Sequence, residues 1–170
     1  MEVQFLSSAP PFDLAQGWKK SEEHWVLVGR CTFMENDAQV YVGQKAFINK
    51  NGKILGIQDS ATGLWDYPGG KIKWSEDLEN SLKREIREET GLEVKVGEPF
   101  VVWKHEVQEE GSRSFGKKLI LIGVRCDYLS GNVKLSSEHS DYGWFTNKNL
   151  GKVKYSRRWL NALNKYFADG

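Results

Sequence analysis

Gly70-Lys71-Ile72-Lys73-Trp74-Ser75-Glu76-Asp77-Leu78-Glu79-Asn80-Ser81-Leu82-Lys83-Arg84-Glu85-Ile86-Arg87-Glu88-Glu89-Thr90-Gly91-Leu92 is the stretch on which the reading of this chain turns. Pro68-Gly69-Gly70 at its front is a turn signal. Ser75 is a candidate N-cap with Glu76 and Asp77 in the first turn, and Gly91 stands where a helix end takes a left-handed residue. The pattern predicts a helix from Glu76 to Thr90. At about 100° per residue, with Glu85 at zero, Leu78 falls near 20°, Leu82 near 60° and Ile86 near 100°, which defines the buried stripe.

On the same wheel Glu89 lies near 40° and Glu88 near 300°, so with Glu85 they border or enter that stripe. An acidic helix is usually a solvated face balanced by its own basic residues, here Lys83, Arg84 and Arg87. Such a face would lie near 240°, opposite Leu82, whereas these carboxylates crowd the margin of the core, where like charges repel and desolvation adds to the cost. Arg84 can hold one or two of them but cannot neutralise Glu76, Glu85, Glu88 and Glu89 together, so divalent cations are the natural complement. The ligands on offer are oxygens, and no Cys/His cluster is present, which selects hard ions such as Mg2+ or Mn2+ over zinc. Such carboxylate sites commonly hold a substrate phosphate together with the ion, which leads toward phosphoryl or pyrophosphoryl chemistry.

Gly70, Glu76, Arg84, Glu85, Ile86, Glu88, Glu89, Gly91 and Leu92 match every position of the Nudix box, and the chain resembles a Nudix hydrolase. Weaker resemblance, including Leu64-Trp65-Asp66-Tyr67-Pro68-Gly69-Gly70, extends over roughly residues 40 to 168, leaving 1 to 39 as an N-terminal extension. The resemblance implies an α/β/α sandwich around a mixed sheet, and hydrolysis of a nucleoside diphosphate derivative by water attack on phosphorus. Carried over by position, Glu85, Glu88 and Glu89 ligate the cations beside a carbonyl of Gly69 or Gly70, while Glu76 and Arg84 form an ion pair that steadies loop and helix.

The general base varies within the family between a box glutamate, such as Glu88, and a carboxylate on a later loop. Glu138, in Ser136-Ser137-Glu138-His139-Ser140-Asp141-Tyr142, is the loop candidate, with an exposed loop acid as its plain alternative. Many members carry Glu-Pro-Gly or Glu-x-Gly where this chain has Lys73-Trp74-Ser75. Lys71 and Lys73 are candidate polyphosphate contacts, or simply lower the charge of the acidic cluster. Trp25, Trp65, Trp74 and Trp103 are candidates to stack on a base and His139 and His105 to bind phosphate, against the commoner roles of packing and exposed histidine. Gln108, Glu109 and Glu110 fill the stretch beyond the box where ADP-ribose and dinucleoside-polyphosphate subgroups often show a Pro or Tyr. That points to a nucleoside triphosphate or a nucleotide-sugar. The competing classes are a non-catalytic nucleotide-binding Nudix module, which normally has eroded box glutamates, and an isoprenoid-diphosphate isomerase, which needs an active-site cysteine that neither Cys31 nor Cys126 matches.

The 170 residues suit one catalytic domain with an independent core. With 24 basic against 23 acidic residues, net charge +1, the chain lacks the footprint of a duplex-binding protein. Cys31 and Cys126 stand in no metal or redox motif and read as small apolar residues of a reducing cytoplasm. No segment has the length to cross a bilayer, and the N-terminus lacks a signal-like apolar run. The expected partner is a small-molecule nucleotide. Trp25-Val26-Leu27-Val28 is expected as an added strand or as a dimer arm, the latter giving a homodimer.

Strands are expected at Val40 to Asn49 and Lys53 to Gln58, joined by the hairpin signal Asn51-Gly52. Further strands fall at Glu93 to Val96, Phe100 to Val107, Lys118 to Tyr128 and Tyr142 to Phe145, with Gly97-Glu98-Pro99 separating the first two. A last helix over Ser156 to Ala168 places Trp159, Leu160, Leu163 and Phe167 on one side.

Overall fold

The computed structural model of the chain describes residues 5–6, 18–21, 24–27, 40–108, 115–148, 153–155 and 157–168. Two compact units divide it, Met1–Ala38 and Gln39–Gly170. In the first, β1 (Phe5–Leu6), β2 (Trp18–Ser21) and β3 (His24–Leu27) form an antiparallel sheet in the order β1-β3-β2. The segment expected as an added strand or dimer arm thus pairs Trp25 with Lys20 and Leu6 inside its own unit. Val28, Cys31 and the Trp25 side chain lie outside the described residues.

The second unit is built on β4 (Tyr41–Lys50), β5 (Lys53–Asp59), β6 (Trp65–Asp66), β7 (Glu93–Glu106), β8 (Lys118–Ser130) and β9 (His139–Phe145), with helices α1 (Leu78–Thr90) and α2 (Arg157–Ala168). The sheet runs β6-β5-β4-β8-β7, and β9 pairs with β5. Its β4–β8 ladder is parallel, from Tyr41↔Leu119 to Asn49↔Asp127, and the other pairings are antiparallel. The β4–β5 hairpin closes as Asn51-Gly52 requires: φ is 54° and 74°, the left-handed pair of a type I′ turn.

Strand alternation makes two cores from one sheet. Phe47 joins Tyr67, Trp159, Leu163 and Tyr166 of the α2 side, while Ala46 and Ile48 join Leu82, Ile86 and Val94 of the α1 side. Leu82 and Ile86 are fully buried, each contributing about 1.5–3 kcal/mol by removal from water. The mixed sheet with helical cover on both faces is the expected α/β/α sandwich.

Several local expectations change. The N-cap is Asp77 rather than Ser75: its carboxylate accepts the Asn80 N–H at 2.8 Å, and helix α1 starts at Leu78. Glu76 stays outside because its N–H bonds Lys73 O at 3.0 Å in a preceding turn. Leu78, placed on the buried stripe by the wheel, is 55% exposed: it is the first helical residue after the Asp77 cap, and burial begins only at Ser81, the stripe being Ser81, Leu82, Ile86 and Thr90. β7 is one strand rather than two, since Gly97-Glu98-Pro99 forms a bulge against β8 with Pro99 opposite Val124, absorbing the missing N–H. On α2 the buried residues are Trp159, Ala162, Leu163 and Tyr166, with Leu160 and Phe167 at the margin.

Candidate active site

The site grows from the far end of β4. That strand meets β5 only at Asn49 and Lys50, so its other residues on that edge are open to the turn after β6. Ala46 N donates to Pro68 O at 2.8 Å, Gln44 N to Gly70 O at 2.9 Å and Ile72 N to Val42 O at 3.1 Å. This close approach needs glycine. Gly69 has φ of 128°, and a Cβ on it would collide with the Gln44 carbonyl; a Cβ on Gly70 would come within 2.5 Å of Glu85 Oε2.

Helix α1 delivers the carboxylates to this turn. Glu89 Oε2 accepts the Gly69 N–H at 2.8 Å. Burial pushes the Glu89 carboxyl up to about 7, with Lys45 and the Gly69 N–H opposing and Glu85 and Asp66 adding. Glu85 lies against Gly70 and takes Arg84 Nη1 at 2.8 Å, and the same nitrogen reaches Glu88 Oε2 at 3.1 Å. Arg84 Nε forks onto Glu76 at 2.8 and 3.0 Å, holding that carboxyl below its ordinary range, while the pairing raises the guanidinium. The expected Glu76–Arg84 pair is present, and Arg84 also collects Glu85 and Glu88. Its Nη2 is buried with no hydrogen-bond partner.

The later loop packs on the same helix end: Lys134 N donates to Thr90 O at 2.8 Å and Ser136 N to Glu89 O at 3.2 Å. Glu138 follows, its side chain exposed and its carbonyl accepting Ser60 N at 2.9 Å. His139 is half-buried, its Nδ1 3.1 Å from Ser136 Oγ. Burial and then Lys45 lower its basicity, against the carboxylates of Asp59, Glu138 and Asp66.

The candidate substrate contacts divide. Lys71 is exposed with Nζ 5.4 Å from the Tyr41 ring, as is Nζ of Lys117, and burial followed by Lys117 lowers its basicity while Glu85 opposes. Lys73 is exposed and its charge acts on Glu76. Trp65 is a correction: it is 8% exposed, edge-on to Phe145 at 5.0 Å within the α2-side core, so its ring is not offered to a base. Trp103 likewise packs its partly buried ring on that core, because β7 alternation turns it inward with Val101. Trp74 is fully exposed. Cys126 is buried, and that burial pushes its thiol up to about 12, as suits a packing residue.

One residue, Lys45, escaped the sequence reading. Lys45 Nζ donates to Tyr67 O at 3.0 Å and Gly69 O at 3.1 Å and pairs with Asp66 Oδ2 at 2.7 Å. The signal was there: a lysine set just before Ala46-Phe47-Ile48, the most apolar run of its strand.

The donors suit a hard divalent ion. They are oxygens of Glu85, Glu88, Glu89 and the Gly69 carbonyl, whose second lone pair is left by Lys45, and the buried Gln44 Oε1 has no hydrogen-bond partner. Gly70 O likewise accepts one bond, from Gln44 N, and keeps its second lone pair. Among the described residues no three Asp, Glu, His or Cys side chains form a ready-made ion cage, since Arg84 and Gly69 N hold the carboxylates.

Comparison with known proteins agrees with this geometry. The chain is 29% identical over 121 residues to a MutT-like protein of Streptomyces ambofaciens, covering 69% of this chain and 72% of that one. It is 42% identical over 66 residues to the CTP pyrophosphohydrolase of Escherichia coli, covering 36% of this chain but only 49% of that relative. The crystal structure of the MutT protein from Methanosarcina mazei superposes with a TM-score of 0.63 at 28% identity, over 76% of this chain and 94% of that one. The NUDIX domain model matches residues 39–163, nearly the whole second unit, and the chain belongs to the Nudix hydrolase family.

Proposed function

We propose that the protein hydrolyses a pyrophosphate bond in a nucleoside triphosphate or a nucleotide-sugar, with Mg2+ or Mn2+ as the ion. The observation that carries this is the gathering of the box carboxylates, Glu85 against Gly70 and Glu89 on the Gly69 N–H, with Glu76 and Glu88 tied to Glu85 through Arg84. The name of the Escherichia coli relative, a CTP pyrophosphohydrolase, supports the triphosphate.

Glu85, Glu88, Glu89 and the Gly69 carbonyl would hold the ion, which when bound neutralises phosphate charge and makes an attacking water more acidic. Arg84 keeps Glu76, Glu85 and Glu88 together beforehand, so little reorganisation is needed as charge develops. As the water oxygen bonds to phosphorus and the bridging P–O bond breaks, a carboxylate takes the water's proton. Glu88, whose side chain is 59% exposed, and the exposed Glu138 on the loop packed against the end of α1 are the two candidates for that role. Lys71, on the strand-like bridge with Gly43, would meet the outer phosphate.

The test is a panel of nucleoside triphosphates, nucleotide-sugars and ADP-ribose with Mg2+, reading phosphate, pyrophosphate and monophosphate. Turnover of one class supports the assignment. Tight nucleotide binding with no turnover across the panel replaces it with the binding-module reading.

A further inference from the structure

Lys45 is a charged side chain spent entirely inside the protein. An ammonium has three N–H donors, and those of Lys45 meet three oxygens: Asp66 Oδ2 at 2.7 Å, Tyr67 O at 3.0 Å and Gly69 O at 3.1 Å. Its side chain is 14% exposed, against 47% for Asp66. Burying an ammonium is costly unless it is paired and hydrogen-bonded, so a lysine here needs a reason beyond packing. One carboxylate and two backbone carbonyls form the kind of shell a hard metal cation takes.

The shell adjoins the box carboxylates. Gly69 presents its carbonyl to Lys45 and its N–H to Glu89, so one peptide unit away from each other sit the ammonium and the carboxylate. The charge of Lys45 acts on Glu89 and Glu85 as well as on Asp66. Arg84 spends Nε and Nη1 on Glu76, Glu85 and Glu88, and its Nη2 has no hydrogen-bond partner, whereas the charge of Lys45 acts on Glu89.

We propose that Lys45 is a tethered cation: a permanent positive charge that occupies an oxygen shell beside the divalent-ion site, keeps the Gly69 turn and Glu89 assembled without metal, and sets how weakly the free protein binds its ion. Lys45 is a positioning residue in this role, and Asp66 tunes it from the other side. The inference rests on the carboxylate cluster being the ion site of the proposed hydrolase. With the ion held loosely by the free protein, most of the divalent ion enters together with a nucleotide's phosphates.

The test is Mn2+ alone, titrated without nucleotide at pH 8.5 and followed by the EPR signal of free Mn2+, on wild type, Lys45→Met and Asp66→Asn. Removing one charge a few ångströms from the site should tighten Mn2+ about tenfold in Lys45→Met, and removing the opposing, half-exposed carboxylate should weaken it about threefold in Asp66→Asn. Mere structural damage loosens a site and does not tighten it, so the tightening separates tuning from support. Shifts of the same sign, or none, overturn the proposal. If Lys45→Met does not fold by circular dichroism, Lys45→Gln takes its place: tighter Mn2+ binding than wild type supports the tethered cation, and unchanged or weaker binding overturns it. Opposite shifts support it even where the wild type hydrolyses no nucleotide in the panel, an outcome that counts against the functional reading only.

Discussion

Glu89 Oε2 accepts the backbone N–H of Gly69 at 2.8 Å, tying the last turn of α1 to a glycine turn twenty residues earlier in the chain. This contact makes an otherwise local motif a piece of tertiary structure. The helix could not deliver its carboxylates unless the turn lay flat against β4, and Gly69 lies there only because its φ of 128° admits no side chain.

That burial has a pH signature in the metal-free protein. The Glu89 carboxyl titrates at about 7 when folded against an ordinary value of 4.5. An acid whose folded value is raised keeps a proton that the unfolded chain has lost, so its contribution is complete below about pH 4.5 and declines as pH rises through 7. In chelator, stability should fall between pH 5 and 7.5 by up to ~3 kcal/mol. Thermal melts at several pH values measure this, and Glu89→Gln should flatten that slope.

Gly70→Ala should keep the fold and misplace chemistry. The new methyl meets the Glu85 carboxylate rather than backbone, so Glu85 must move. We expect turnover to fall by about 10–100-fold with a Tm near wild type, since small displacements of a catalytic group cost that much. Gly69→Ala meets the Gln44 carbonyl at a positive φ and should instead destabilise the protein by about 3 kcal/mol or more, measured by urea unfolding.

Arg84→Gln removes the cation shared by Glu76, Glu85 and Glu88. Left together, the carboxylates repel, and Tm in chelator should drop by about 3–8 °C. Millimolar Mg2+ should recover part of this, because the ion replaces the missing charge. An equal drop with and without Mg2+ would show that Arg84 acts on packing alone.

Legibility in the sequence followed range. The Asn51-Gly52 hairpin, the α1 stripe at Leu82 and Ile86 and the helix stop at Gly91 are set by neighbours a few residues away, and all are found as expected. Leu78 was misplaced because a wheel gives direction but not where along a helix burial begins. Trp65 proved to be core rather than a stacking platform because composition does not reveal which face of a strand a ring occupies. Lys45 with Asp66, and Gln44 with Gly70, are pairs across more than twenty residues that no local pattern encodes. The parallel β4–β8 ladder, joining Tyr41 to Leu119, is of the same kind.

The identity of the base divides Glu88 from Glu138. Glu88 shares Arg84 Nη1 with Glu85, so Glu88→Gln disturbs a carboxylate inside the cluster, and turnover should fall by roughly two or more orders of magnitude with the fold intact. Glu138 stands on a loop whose backbone is pinned to Ser60 N and, through Ser136, to Glu89 O, and its carboxylate belongs to no ion pair of the cluster, so Glu138→Gln leaves the cluster untouched. A general base is worth about 10^2–10^4-fold. A loss in that range for Glu138→Gln, with Mn2+ affinity unchanged, assigns the proton transfer to the loop. A loss of about tenfold or less assigns it to Glu88, because the only other effect of the change is one charge at the rim of the site.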